Sequence, residues 1–138
     1  LACGSVATSR RAWTLAYKYA QEREAFGRPI IQHQVHGHYL ADIATRVTAL
    51  QAFVDQAVMA HNAGQLDETG ASMAKYWTTE EQQDIVTRCL QMFGGYGFML
   101  EYPISTHYLD SKVQTIYGGT NEIMKEIIFR RIAKGGAE

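Results

Sequence analysis

Proline is nearly missing from these 138 residues; only Pro29 and Pro103 interrupt the chain. Long stretches are therefore free to propagate helix, because little removes an amide donor or clashes with the preceding turn. Cysteine is as scarce, Cys3 and Cys89 alone. That excludes a disulfide framework and suits a reducing compartment. Neither sign of charge is in surplus: 13 Lys and Arg stand against 14 Asp and Glu, a net charge of -1. Such a balance argues against a nucleic-acid module, which carries a basic excess. No run of about 18 apolar residues exists, so no transmembrane segment is expected. The composition, 46% hydrophobic and 20% charged, excludes disorder. A chain this long buries roughly 68–70% of its unfolded surface, enough for one core without staples. The first residue is Leu1, no signal-peptide pattern follows, and residues 1–20 read as a helix interior with no cap before them. A piece of a longer polypeptide is expected.

What is present is helical periodicity. A first helix is predicted over residues 2–24 with Val6, Trp13, Ala16, Tyr17 and Ala20 as its apolar positions, stopping near Gly27 and Pro29. In a second, over 33–63, Leu40, Ile43, Val47, Leu50, Val54 and Ala57 alternate three and four apart, a bundle-type seam. Asp67 is the expected N-cap of a third helix. Its inner side is read as Met73, Tyr76, Trp77, Ile85, Cys89, Met92 and Phe93, up to a stop at Gly94 and Gly95. The short connection makes these two helices antiparallel. A short helix over 103–110 starts on Pro103. After the break at Gly118 and Gly119, Thr120 caps a last helix through Ile123, Ile127 and Ile132 to about Ala133. The fold class predicted is all-α, an up-and-down four-helix bundle with short additional helices, one domain over residues 1–138.

Three segments could carry chemistry. Arg23 and Arg28 lie where the first helix ends, and an arginine fork suits a phosphate, although cations also simply favour a helix C-terminus. Gln91-Met92-Phe93-Gly94-Gly95-Tyr96-Gly97 ends a helix on glycines that admit a ligand or another backbone, or merely cap it. Tyr117-Gly118-Gly119-Thr120-Asn121-Glu122 opens a helix N-terminus, a ready anion site or a plain capped turn. It lacks the Lys-Ser/Thr of a P-loop and the spaced dinucleotide fingerprint. His33, His36 and His38 have no ordered carboxylate beside them and no Glu-x-x-His pair, so a half-buried or surface cluster is expected and no metal.

Taken in order, Arg23-Glu24-Ala25-Phe26-Gly27 with Gln34, Leu40-Ala41-Asp42-Ile43, Ala74-Lys75, the Gln91–Gly97 segment, Glu101-Tyr102-Pro103, Asp110-Ser111-Lys112 and Ile116–Ile123 resemble the C-terminal helical domain of the acyl-CoA dehydrogenase family. The resemblance covers essentially the whole chain. It implies an FAD-dependent enzyme that dehydrogenates an acyl-CoA thioester between its α and β carbons. A glutamate removes the α proton, a hydride passes from the β carbon to FAD, and the thioester carbonyl is hydrogen-bonded as charge develops. It also implies a homotetramer, electron-transferring flavoprotein as the acceptor, and a bacterial cytoplasmic or mitochondrial matrix setting. By position, Arg23 resembles the arginine that reaches a neighbouring subunit's FAD pyrophosphate, and Gln34 a second flavin contact. Gln91, Gly94 and Gly95 resemble the segment meeting the adenosine side of a neighbour's FAD. Thr120, Asn121 and Glu122 resemble the helix start approaching the subunit's own flavin. Tyr117, Gly118 and Gly119 are expected near the thioester.

One departure has consequences. Many members carry their catalytic glutamate at the position of Gly118, which has no side chain. Long-chain and isovaleryl-type members take the base from the start of the first helix of this domain, about two positions before Leu1. No catalytic residue is therefore expected within this chain, and the chain alone is expected to be inactive. Two other readings stay open: a base-less relative with different flavin chemistry, and a helical oligomerisation module without catalysis. An acid just upstream of Leu1 separates the first of these from a dehydrogenase. Bound flavin excludes the second.

Overall fold

The computed structural model describes residues 1–135. Its helices are α1 (Ala2–Glu22), α2 (Gln34–Asn62), α3 (Glu68–Met92), α4 (Pro103–Gln114) and α5 (Asn121–Ala133). Between α1 and α2 lies a small antiparallel ribbon, β1 (Glu24–Ala25) paired with β2 (Arg28–Pro29). A 3-10 turn over Ile30–Gln32 leads into α2, and another over Gly94–Phe98 follows α3. Cross-links set the directions: Trp13 Nε1 donates to the Leu40 carbonyl, Arg46 reaches Asp84, and Ser111 donates to Gln83. Helices α1 to α4 thus run alternately up and down, as expected, and α5 packs on α3.

Boundaries shift where local chemistry differs from the apolar pattern. Helix α1 ends at Glu22 rather than residue 24 because Arg23 is already extended and leads into the ribbon. Phe26 and Gly27 turn that ribbon with φ of 54° and 79°, the two-residue turn whose twist matches its strands. Helix α4 continues past Asp110 to Gln114, since Ser111 is buried and bonded to Gln83 and no breaker follows before Gly118. The Asp67 cap forms as predicted, its carboxylate accepting from Gly70 N at 2.7 Å. Thr120 caps α5, accepting from Ile123 N at 3.4 Å.

The α2 seam is buried at Leu40, Ile43, Val47, Leu50 and Val54, while Ala57 is only half-buried. Each large side chain so buried contributes about 1.5–3 kcal/mol. Elsewhere the buried faces match expectation in part: Val6, Ala16 and Ala20 of α1 and Ile85, Cys89, Met92 and Phe93 at the end of α3 are buried as predicted. Helix α1 also turns Ser5, Ser9 and Ala12 inward, small residues that let its backbone lie close to α3. Trp13 is half-buried, and Tyr17 stacks on it from outside. In α3 the inner face at the N-terminal half is Ser72, Lys75, Thr78, Thr79 and Gln82, so Met73 faces outward. Against a partner lined with serine and alanine, the small Thr78 and Thr79, which bond within their own helix, pack better than a methionine. Thr78 and Thr79 donate to Ala74 and Lys75 carbonyls at 2.7 and 3.0 Å. On α5, Ile123 and Ile132 are 53% and 48% exposed despite their apolarity. The buried Asn121 sets the helical phase of α5, which turns Ile128 inward instead.

Helices α2 and α3 are also tied by Arg46, which meets Glu81 and Asp84, both at 2.6 Å. Desolvation opposes its charge, but hydrogen bonds to Asp84 and Glu81 outweigh that and raise its pKa. Arg46→Met leaves both carboxylates without this partner and is expected to cost about 1–3 kcal/mol. Urea unfolding checks it, and an unchanged midpoint would show the pairs to be solvated and idle.

Candidate functional site

The sequence candidates fall at the two ends of the bundle. Helix α1 separates them, its 21 residues spanning about 30 Å at 1.5 Å per residue. At its C-terminal end Arg23 swings over the Tyr96 ring, 5.8 Å from its centre. An open cleft of about 550 Å³ lies there, lined by Arg23, His36, Phe93, Gly94, Gly95 and Tyr96 among others. Gln91 lines an adjoining cleft of about 290 Å³ with His36, Tyr39 and Arg88. Gln34 starts α2 and is exposed without lining either cleft. Gly94, with φ of 57°, ends α3 in the left-handed conformation glycine tolerates. A Cβ added at Gly94 or Gly95 would meet nothing within 4 Å, so the bare backbone there is open to a ligand.

His33 and His36 stand edge to face at 6.5 Å. The His33 ring bonds the Ala25 carbonyl and Arg28, whereas His36 Nδ1 is buried with no partner among the described residues. Burial first, then His33, lowers the His36 pKa; burial, then Arg11, lowers that of His107. Both lie below the usual 6.5, so in the window just under that value the unfolded chain binds the extra protons. Stability is expected to fall as pH drops through that window. Urea midpoints at about pH 7 and pH 5, bracketing the ordinary histidine pKa, should differ less in a His36→Gln, His107→Gln double variant. An equal slope in that variant would exclude these rings as the cause. Among the described residues no group of three or more His, Cys, Asp or Glu is placed to hold a metal ion.

At the other end, Tyr117 to Glu122 lie beside the start of α1. Gly118 and Gly119 adopt φ of 67° and 91°, and a Cβ on Gly118 would stand 2.9 Å from Leu1 Cδ1. Behind the turn Lys75 Nζ donates to the Gly119 carbonyl and to Asn121 Oδ1, both at 2.7 Å. Asn121 Nδ2 donates to the Tyr76 carbonyl and Thr79 Oγ1 at 3.3 and 3.0 Å. The Asn121 side chain therefore points inward, and what the turn offers outward is its backbone and the side chains of Tyr117 and Glu122. Glu122 is exposed; its own backbone N–H, then the Thr120 hydroxyl, holds its carboxyl below the usual range. Sequence reasoning named Tyr96 only within the Gln91–Gly97 segment and Lys75 only within a motif, without a role for either, and it did not place Thr79 or His36 at these ends. Ser72, Lys75, Thr79 and Gln82 recur at helical spacing, but such a polar stripe ordinarily marks the solvent face.

A larger apolar cleft of about 610 Å³, lined by Leu90, Gly97, Phe98, Leu100, Tyr108 and Leu109 with Ser105, holds none of the predicted site residues. No helix among the described residues is long and apolar enough to cross a membrane.

The chain and its fold match known proteins. The family model described as acyl-CoA dehydrogenase, C-terminal domain, matches residues 1–133, and the chain belongs to the acyl-CoA dehydrogenase family as its C-terminal helical domain. It is 47% identical over 114 residues to the long-chain specific acyl-CoA dehydrogenase, mitochondrial, of Rattus norvegicus, covering 83% of this chain and 26% of that protein. A crystal structure of an acyl-CoA dehydrogenase from Geobacillus kaustophilus matches at 37% identity and a TM-score of 0.92, covering 95% of this chain and 34% of that one. A structure described as the FAD complex of PigA matches at 29% identity and a TM-score of 0.88, covering 99% and 36%. This chain thus spans about a quarter to a third of the length of these relatives.

Proposed function

We propose that this domain belongs to a longer FAD-dependent acyl-CoA dehydrogenase, in which it supplies flavin contacts and subunit surface. The observation that carries the reading is the division of the family motifs between two ends about 30 Å apart, each suited to an anionic or polar ligand. Such a separation fits contacts to two flavins, one from a neighbouring subunit and one from its own. The Arg23 end fits a dinucleotide in its own terms. It combines a guanidinium, an aromatic face, two glycines whose Cβ directions are open, and the unpartnered His36 Nδ1. Arg23 would hold the pyrophosphate through its fork, with Gln34, Gln91, Gly94 and Gly95 on the flanking parts. Bound FAD would supply the hydride acceptor.

At the other end the turn from Tyr117 to Glu122 presents backbone donors to flavin and thioester. Gly118 holds no proton acceptor, and Leu1 packs directly against it. A glutamate just before Leu1 would therefore approach the space that a glutamate at position 118 would otherwise fill. Exposed Ile123, Phe129 and Ile132 are the kind of apolar surface a homotetramer covers. Electron-transferring flavoprotein is the acceptor we propose, and a bacterial cytoplasm or mitochondrial matrix the compartment.

Anaerobic addition of acyl-CoA thioesters of graded length to the full flavoprotein tests the reading. Bleaching of the visible flavin absorbance supports it; unbleached flavin with every thioester favours other flavin chemistry, and a polypeptide that binds no flavin favours a scaffold. The 138-residue chain by itself, supplied with FAD, is expected to oxidise no acyl-CoA, because it lacks a base at Gly118 and no acid of α1 replaces one. Turnover of any acyl-CoA by the chain alone would contradict the assignment of the base upstream.

A further inference from the structure

The lysine behind the glycine turn has no evident structural need to be a lysine. Lys75 is 7% exposed, and no carboxylate among the described residues forms an ion pair with it. Burial lowers its pKa, and the charges of Glu122 and Glu80, beyond ion-pair distance, offset this only in part. Holding a cation here is therefore costly, and an apolar chain of the same length would fill the space without a buried charge. Its bonds run to two acceptors on one segment, the Gly119 carbonyl and Asn121 Oδ1. The orientation of the Asn121 amide follows without ambiguity: ammonium only donates and the Tyr76 carbonyl only accepts, so Oδ1 must face Lys75 and Nδ2 must face Tyr76.

The peptide bond carries the consequence to the other side. In a trans peptide, C=O and N–H point in opposite directions, and no cis bond occurs among the described residues. Lys75 draws the Gly119 carbonyl toward α3, so the N–H of Thr120 in the same peptide unit must point away from α3. Among the described residues the amides of Gly118, Gly119 and Thr120 have no acceptor, unlike the next one, Asn121 N, which donates to the Thr115 carbonyl at 3.1 Å. Three consecutive amide donors thus lack an acceptor among the described residues, and the last of them, the Thr120 N–H, points away from α3 with a cation behind its peptide unit.

Resting on the dehydrogenase reading above, we infer that Lys75 is a positioning residue of the active site: it anchors and polarises the Gly119–Thr120 peptide so that the outward Thr120 N–H meets the ligand's oxygen as an aimed donor. Its charge strengthens the Thr120 N–H as a donor, and its bond to Asn121 holds the first turn of α5 in place. Lys75 touches no ligand itself.

The test uses the full flavoprotein with Lys75→Met, which removes bond and charge, and Lys75→Gln, which keeps a donor and removes the charge. Removing a direct oxyanion donor costs about 10²–10³ in kcat, so an effect relayed through one peptide is set at about tenfold. Lys75→Met is expected to lower kcat about tenfold with KM for the acyl-CoA changed less than about twofold, the pattern of an interaction stronger in the transition state. Hydrogen exchange over residues 115–124 is expected to quicken in Lys75→Met, with α2 unchanged. Lys75→Gln should restore slow exchange but only part of kcat. Wild-type kcat per bound flavin in Lys75→Gln overturns the polarising role, and unaltered exchange over 115–124 in Lys75→Met overturns the anchoring role. If Lys75→Met does not fold, the glutamine variant decides by kcat per bound flavin. If the wild-type flavoprotein oxidises no acyl-CoA, the dehydrogenase reading and this active-site role fall, while the exchange data still decide whether Lys75 anchors the turn.

Discussion

Arg23→Ala in the full flavoprotein is expected to weaken retention of FAD by about 100-fold, close to 2.8 kcal/mol at 1.4 kcal/mol per decade. Arg23 is exposed, held only by the face of Tyr96, and makes no ion pair among the described residues. Its removal should therefore leave the fold intact. On the proposed reading, what is lost is a forked, charge-assisted contact to a pyrophosphate, and hydrogen bonds to a charged group are worth about 1.5–3 kcal/mol. Arg23→Lys keeps a point charge without the fork and should recover only part of the affinity. Flavin released on gel filtration, read against thermal unfolding of the same samples, separates binding from folding. Full flavin retention in Arg23→Ala would remove the dinucleotide from this cleft.

The second large effect is structural. Gly97→Ala is expected to destabilise the domain by about 3 kcal/mol, the upper part of the usual overpacking range. A Cβ there would stand 2.5 Å from the Leu90 carbonyl oxygen and 3.0 Å from Leu90 Cγ. The nearer obstacle is backbone at the end of α3, which cannot rotate aside as a side chain can. Gly95→Ala is the natural contrast, because its Cβ would meet nothing within 4 Å. It should leave unfolding nearly unchanged while intruding on the cleft shared with Arg23. Urea unfolding of both variants checks the pair, and equal stabilities would mean that the Gly94–Phe98 turn shifts freely.

Much of the architecture was legible because the signals for it are local. Asp67 and Thr120 cap helices by reaching amides three residues away, Pro103 is tolerated within a helix at its first turn, and Gly94 stops α3 at positive φ. The α2 seam was legible too, since Leu40, Ile43, Val47, Leu50 and Val54 are large, apolar and evenly spaced, which leaves one possible inner face. The inner faces of α1 and α3 were legible only in part: Val6, Ala16, Ala20, Ile85, Cys89, Met92 and Phe93 are buried as read, but the polar share of those faces was not seen. Ser5, Ser9, Thr78, Thr79 and Gln82 are buried although nothing in their polarity says so, and Ile123 and Ile132 are exposed despite their apolarity.

By itself the sequence determined the all-α class, the order of the helices, their caps and breaks, the absence of a base at Gly118, and the family motifs at Arg23, Gln91–Gly95 and Tyr117–Glu122. The helical class, caps and breaks follow from each residue's own backbone preference or from neighbours within about one helical turn, whereas the motifs and the empty base position follow from the family resemblance. Only the tertiary structure decided that these motifs stand at opposite ends of one bundle. It also decided that α1 and α3 meet through small polar faces and that Lys75, 44 residues from Gly119 along the chain, lies behind the glycine turn. The physical reason is one of range. Which polar side chains enter the core is set by how the helices pack. Ser9, Thr78 and Thr79 bond carbonyls of their own helix, a local option open to them on any face, whereas Lys75 needs acceptors that only packing brings near.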